Sequence, residues 1–160
     1  MEIREATSAD WPRIWPFVRD IARAGETFSW PLDVTEEQAR TFWTGNEVTL
    51  VAVDADGTIL GSANAGANHM GPASHIASAS FMVDPAHQGR GAGRALGEAV
   101  LAWARAAGYR AMQFNAVVST NERAVRLWRS LGMEVAATLP EGFRHPVHGY
   151  VGLHVMYRLL

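Results

Sequence analysis

Hydrophobic and polar positions change their spacing several times along the chain, and each change marks an element. Glu2–Ala6 reads as a short strand. A helix is expected over Ser8–Ala24, capped by Ser8 or Asp10, with Pro12 in the first turn, where a missing N–H costs nothing. Pro16 should bend or split that helix, and Gly25 should end it. Thr35 and Gln38 form a capping-box pair that opens a second helix to about Trp43. Val48–Val53 and Thr58–Asn64, joined at Asp54–Gly57, read as a hairpin, and Ala65–Ser74 as a loop. Ile76–Asp84 is the next strand. Gly91–Ala107 carries the clearest helical stripe, with Leu96, Val100, Trp103 and Ala107 on one side. In Ala111–Val118, the residues Met112, Phe114, Ala116 and Val118 alternate against Gln113, Asn115 and Val117, as in a strand. A helix from Asn121 to Leu131 places Ala124, Leu127, Trp128 and Leu131 together. Glu134–Leu139 and Tyr150–Arg158 complete the pattern as a strand pair, with an irregular loop between them. Strands interleaved with helices in this order predict an α/β fold: one domain over 1–160, a mixed sheet, and helices packed on it.

Composition narrows the function classes. A chain of 160 residues can bury a core without covalent staples. It has no cysteine, which excludes a disulfide scaffold, a thiolate-ligated zinc and a thiol nucleophile. Its formal net charge of −2 argues against a nucleic-acid or anionic-membrane partner. All 14 basic residues are arginine, so lysine chemistry is unavailable. No run of residues is apolar enough to span a bilayer, and the first residues carry no apolar export signal, so a cytoplasmic location is expected.

The densest chemical signal is Gln88-Gly89-Arg90-Gly91-Ala92-Gly93-Arg94, which follows a predicted strand and opens a predicted helix. Glycine lets a backbone approach a ligand closely, and the first helical turn has free N–H groups at the positive end of the dipole. The combination suits a phosphate or pyrophosphate, with Arg90 and Arg94 adding charge from the rim. A P-loop is excluded, because Arg94 and Ala95 stand where Lys and Ser/Thr are needed. A dinucleotide fingerprint fails as well. Counted from Gly89 the sixth position is Arg94, and counted from Gly91 it is Leu96. What fits is Q-x-x-G-x-G starting at Gln88.

That turn resembles the pyrophosphate-binding element of the Gcn5-related N-acetyltransferases. A second stretch, Asn121-x-x-Ala124-x-x-Leu127-Trp128-x-x-x-Gly132-Met133, is similar to the family's N-x-x-A-x-x-L-Y-x-x-x-G-F element. The resemblance implies a sheet splayed at the cofactor cleft and acetyl-CoA as cosubstrate, with no metal. It implies that Gln88–Arg94 grip the diphosphate and that Met82 and Val83 offer backbone groups to the pantetheine. Asn121, Ala124 and Trp128 would flank the pantetheine arm. Asn121 is also suited to cap the helix it precedes, with Oδ1 used and Nδ2 free. Two departures matter. Trp128 occupies a position often held by a tyrosine acid, and Ser78-Ala79-Ser80-Phe81 lacks the Glu base often found on this strand. Asn115 and Asn121, six residues apart, together with Trp128, are also similar to the azetidine-2-carboxylate and proline-analogue N-acetyltransferases. That likeness implies a substrate contact from Asn115 and a further one from Ser78.

Acetyl transfer needs a neutral amine and a donor to the oxyanion. The Val83 amide is the expected oxyanion donor, and His75, His145, His148 and His154 are the candidate bases, with His154 on the last strand carried forward. Phe28 and Trp30, in Glu26–Asp33, belong either to a packed loop or to a substrate wall, and Gly142–Gly149 is expected to supply the other wall with Phe143. The acceptor is expected to be a small-molecule amine, an amino acid or an analogue. A non-catalytic CoA-binding domain, or acetylation of a protein N-terminus or lysine, stays open. The apolar final strands offer an edge for a homodimer.

Overall fold

The computed structural model describes residues 1–160. Its strands are β1 (Glu2–Glu5), β2 (Val48–Val53), β3 (Ile59–Ala67), β4 (Ile76–Val83), β5 (Ala111–Val118), β6 (Glu134–His145) and β7 (Gly149–Leu159). Its helices are α1 (Trp11–Ala24), α2 (Glu36–Thr44), α3 (Ala92–Ala106) and α4 (Glu122–Ser130). All seven strands lie in one sheet, ordered β1-β2-β3-β4-β5-β7-β6. Every neighbouring pair is antiparallel except β4 and β5. Those two are parallel, as the α3 crossover between them requires. They pair only at Ile76↔Ala111 and Ala77↔Met112, and beyond that point the sheet opens.

Helices cover both faces. Leu50 and Ala52 of β2, Met112 and Phe114 of β5 and Met156 of β7 share one buried cluster with Leu96 and Val100 of α3 and Trp128 of α4. Val51 of β2 and Met82 of β4 join Ile14 and Val18 of α1 and Trp43 of α2 on the other face. Alternate residues of a strand point to opposite faces, so each strand serves both cores. Inside the second core the Trp43 indole N–H donates to Ser62 Oγ at 2.9 Å, and that hydroxyl donates to the Leu50 carbonyl at 2.8 Å. The buried polar groups there are paired, as burial demands.

Several expected boundaries move, each for a physical reason. Pro16 does not split α1; only one intrahelical bond is forfeited, and the helix continues on its buried face through Phe17, Val18 and Ala22. Asp10 stands at the N-cap position without capping through its side chain; its carboxylate is held instead by Arg4 at 2.8 and 2.9 Å and by the Thr7 amide at 2.7 Å. Ala65–Ala67 extend β3 rather than starting a loop, because they pair with Ala77–Ala79. The buried stripe of α3 runs through Leu96, Val100 and Ala104, with Gly97 and Leu101 beside it; Trp103 is half-buried and Ala107 lies exposed beyond the helix. Strict alternation in β5 fails at a register shift between Phe114 and Val117, so Val117 turns inward and Ala116 outward. Val125 joins the buried side of α4, which the sequence pattern did not show. Gly142–His145 are strand, and Phe143–His145 pair with Gly149–Val151 in a long β6–β7 hairpin.

Candidate active site

The gap between β4 and β5 is where the unusual backbone chemistry collects. The Asp84 amide donates to the Leu60 carbonyl at 2.9 Å, the Asn68 amide to the Ile76 carbonyl at 2.8 Å, and β3–β4 pairing is uninterrupted between them. Alternate residues of an antiparallel strand address the same neighbour. Ser78, Ser80 and Met82 therefore direct their backbone groups to β3, while Ala79, Phe81 and Val83 direct theirs to the gap. This corrects the expectation for Met82: its backbone serves β3 and its side chain is buried under α1 and α2. Val83 keeps a gap-facing amide.

At the end of β4 the chain passes through a single 3-10 turn, Pro85–His87, into the glycine-rich segment. Gly89 and Gly91 have φ of 84° and 85°, in the left-handed region that side chains with a Cβ rarely adopt. Gly93 is needed for a different reason: a Cβ there would stand 3.3 Å from Leu127 Cδ2. The backbone amides from Gln88 to Arg94 make no hydrogen bond within the protein, and Ala95 is the first to find an acceptor, the Gly91 carbonyl at 3.0 Å. A run of free N–H groups leading into the N-terminus of a 15-residue helix is a cradle for an anion. The rim arginines are already engaged. Arg90 is ion-paired with Asp54 of the β2–β3 turn. The Asp54 carboxyl is held below its ordinary range, first by the Ala55 amide and then by the Arg90 charge. Arg94 donates to Ser130 Oγ at 2.7 Å. Arg123, which the sequence reading passed over, donates to Gln88 Oε1 at 2.9 Å. It lies 35 positions downstream of Gln88, and only the packing of α4 beside α3 brings the two together.

Next to the cradle lies a cleft of about 230 Å³. Phe28, Trp30, Ser78, Asn115, Asn121, Ala124 and Trp128 all line it. Its two sides differ in character. On the α3/α4 face Trp128 packs against Phe81 and Phe114, with ring centroids 4.5 and 5.0 Å apart. Asn121 caps α4 through Oδ1, which accepts from the Ala124 amide at 3.2 Å, and its Nδ2 is left free beside the cleft. On the α1/α2 face Asn115 sits in a network of neutral polar groups. Its Nδ2 donates to Asn68 Oδ1 at 2.6 Å and lies 3.5 Å from Ser78 Oγ, while its Oδ1 accepts from Gln113 Nε2 at 2.8 Å. Asn68 and Gln113 were not singled out from sequence, since a lone amide side chain carries no signal until its partner is known. Phe28 and Trp30 are both packed and site-forming: Trp30 meets Trp43 edge-on at 5.9 Å, and the same ring faces the cleft.

Two expectations do not hold. His154 shares its face with Met156 and Val117, away from Asn115, and its Nδ1 is 2.7 Å from Thr138 Oγ1; it does not line the cleft. Phe143 and the tip of the β6–β7 hairpin do not line it either. His145 Nδ1 accepts from the amides of Val147 and His148 at 3.1 and 3.2 Å and so holds that turn.

Comparison with known proteins agrees with this geometry. Residues 15–133 match the acetyltransferase (GNAT) family model. The chain belongs to that family. It is 32% identical over 110 residues to N-acetyltransferase aca1 of Schizosaccharomyces pombe; the match covers 68% of this chain, and the chain spans about half (53%) of that relative's length. A GCN5-related N-acetyltransferase from Kribbella flavida superimposes with a TM-score of 0.96 at 56% identity, over 99% of this chain and 97% of that one. A phosphinothricin acetyltransferase (Pat) from Sinorhizobium meliloti, solved in complex with acetyl-CoA, gives 0.87 at 25% identity over 99% and 88%. The GNAT fold accounts for the opened sheet. No helix in it is long and apolar enough to cross a membrane.

Proposed function

We propose that this protein transfers the acetyl group of acetyl-CoA to the amine of a small molecule, an amino acid or a close analogue. The observation that carries the reading is the unbroken run of free amides from Gln88 to Arg94, which follows the strand β4 whose residues Ser78–Phe81 line the cleft. Seven neutral donors at a helix N-terminus match a diphosphate. The gap-facing amides of Ala79, Phe81 and Val83 can receive the pantetheine as an added strand would be received. Phe81 lines the cleft and Val83 does not, so Phe81 replaces Val83 as the proposed oxyanion donor, and Val83 becomes a pantetheine contact. The acceptor then enters from the face holding Asn115, Ser78, Phe28 and Trp30. The aromatic rings and neutral polar groups on that face suit a small, partly apolar acceptor. The S. meliloti enzyme, named for a small-molecule acceptor, supports the same reading.

The test has two arms. Titration calorimetry with acetyl-CoA should show binding to the native protein and a loss of at least about 100-fold in Gly91→Val, since a β-branched residue cannot hold φ near 85° without strain. Unchanged affinity in a folded Gly91→Val protein rejects the cradle. Thiol release from acetyl-CoA across a panel of amino acids and small amines should then identify the acceptor. Tight acetyl-CoA binding with no thiol release from any amine would favour a non-catalytic CoA-binding domain instead.

A further inference from the structure

No side chain lining the cleft is an acid, a base or an ion. Its polar members are the hydroxyls of Thr27, Ser29, Ser78 and Ser80 and the amides of Asn115 and Asn121. We infer that this protein leaves deprotonation of the acceptor to solvent and therefore takes amines with an appreciable free-base fraction near neutral pH, such as the α-amino groups of amino-acid amides or peptides and weakly basic ring amines. The inference rests on the acetyl-transfer reading above and deepens it.

Titratable groups surround the cleft without lining it: Glu47 accepts from the Ala67 amide at 3.0 Å and from the Tyr109 hydroxyl at 2.6 Å. Glu26 precedes the lining residue Thr27 and is exposed. His69 follows Asn68 and is exposed, and His75 Nδ1 lies 3.1 Å from the Pro72 carbonyl. Tyr157 is paired with Gln113 across β5–β7 and has Glu134 on its other side. His154 is on the opposite face, bonded to Thr138. Glu122 and Arg123 stand exposed on the first turn of α4, where Arg123 is bonded to Gln88. None reaches into the space between Asn115 and Phe81. At pH 7 about one in ten α-amino groups whose own carboxyl is amidated or peptide-linked is unprotonated, against about one in 2,500 lysine-type amines.

In the step itself the free-base nitrogen attacks the thioester carbonyl and a C–N bond forms. The C–S bond breaks, and CoA leaves as the thiolate. The nitrogen's extra proton passes through water to that sulfur, so the products are amide and thiol. The Asn115 network orients the acceptor and takes no proton.

The pH profile of kcat/KM, which reports the free reactants, tests this directly. Two accepted amines whose pKa values differ by about two units should be compared at saturating acetyl-CoA. The expected result is a single rising limb whose midpoint follows each amine and so differs by about two pH units between them. Tyr157→Phe, His154→Gln and Glu26→Gln should leave both midpoints in place. A rising limb at one shared pH for both amines, with activity falling above each amine's own pKa, would overturn the inference and reveal a base on the protein. A variant that abolishes the rising limb would overturn it too and name that base. Either result leaves acetyl transfer standing, whereas absence of turnover with every amine rejects both readings.

Discussion

The two ends of the cleft are built in opposite ways. The anion cradle comes from seven consecutive residues, Gln88–Arg94, whose function lies in the backbone: two positive-φ glycines, a helix start and amides with no internal acceptor. The proposed acceptor end draws on the α1–α2 loop (Phe28, Trp30), the residue after β3 (Asn68), β4 (Ser78) and β5 (Gln113, Asn115), and its character lies in side chains. A site made of contiguous backbone can be read from a motif. A site made of side chains from four places tolerates replacement at each of them, and so it is where a fold of this kind changes its acceptor while keeping its donor. Trp128 is the proposed shared wall, packed at an angle against Phe81 and Phe114.

Three substitutions sharpen the contrast. Trp128→Ala should have the largest effect. The ring is 7% exposed, and its loss leaves a cavity against Phe81, Phe114 and Gly97. A destabilisation of about 3–5 kcal/mol is expected in urea unfolding, with both acetyl-CoA and acceptor affinity reduced. A folded variant affected at one end only would break the idea of a shared wall. Asn115→Ala should act on the acceptor end alone. It strips partners from Asn68, Gln113 and Ser78, so kcat/KM for the acceptor should fall about 10–100-fold, equivalent to ~1.4–2.8 kcal/mol. The acetyl-CoA Kd should stay within about twofold; a larger change in Kd than in acceptor turnover would reverse the assignment of the two ends.

Asp10→Asn is the mildest of the three and tests the platform beneath the acceptor loop. Arg4 and Thr7 hold the Asp10 carboxyl below its ordinary range, the Arg4 hydrogen bond contributing most. The folded protein thus keeps this charge where the unfolded chain would bind a proton. Its contribution is complete above about pH 4 and is lost as the pH falls below the unfolded value toward the folded one. The variant should lose about 1–3 kcal/mol at pH 7 and show a flatter decline in stability below pH 4. Identical acid limbs in the two proteins would rule out the ion pair as the anchor of α1.

What could be read without coordinates follows from how local each determinant is. The capping box at Thr35 and Gln38, the left-handed ends at Gly25 and Gly91, and the free amides before α3 depend on residues within a turn of one another, and the chain states them directly. The strand order was open, because pairing partners lie far apart in sequence. So was the parting of β4 from β5 after two residue pairs, which creates the cleft. The bulge after Phe114 is invisible to a period-2 reading, yet it sets which residues of β5 turn inward. Arg123 on Gln88 and Asn68 on Asn115 exist only once distant segments are packed. His154 was misplaced for the same reason. Alternation puts it on the same side of its strand as Met156, but only the packed sheet decides that this side faces α3 and α4 and not Asn115. Sequence alone therefore determined the anion cradle, which is written in backbone conformation and needs only near neighbours. Tertiary structure decided which side chains line the cleft, because contacts across a sheet are set by register and packing over the whole domain.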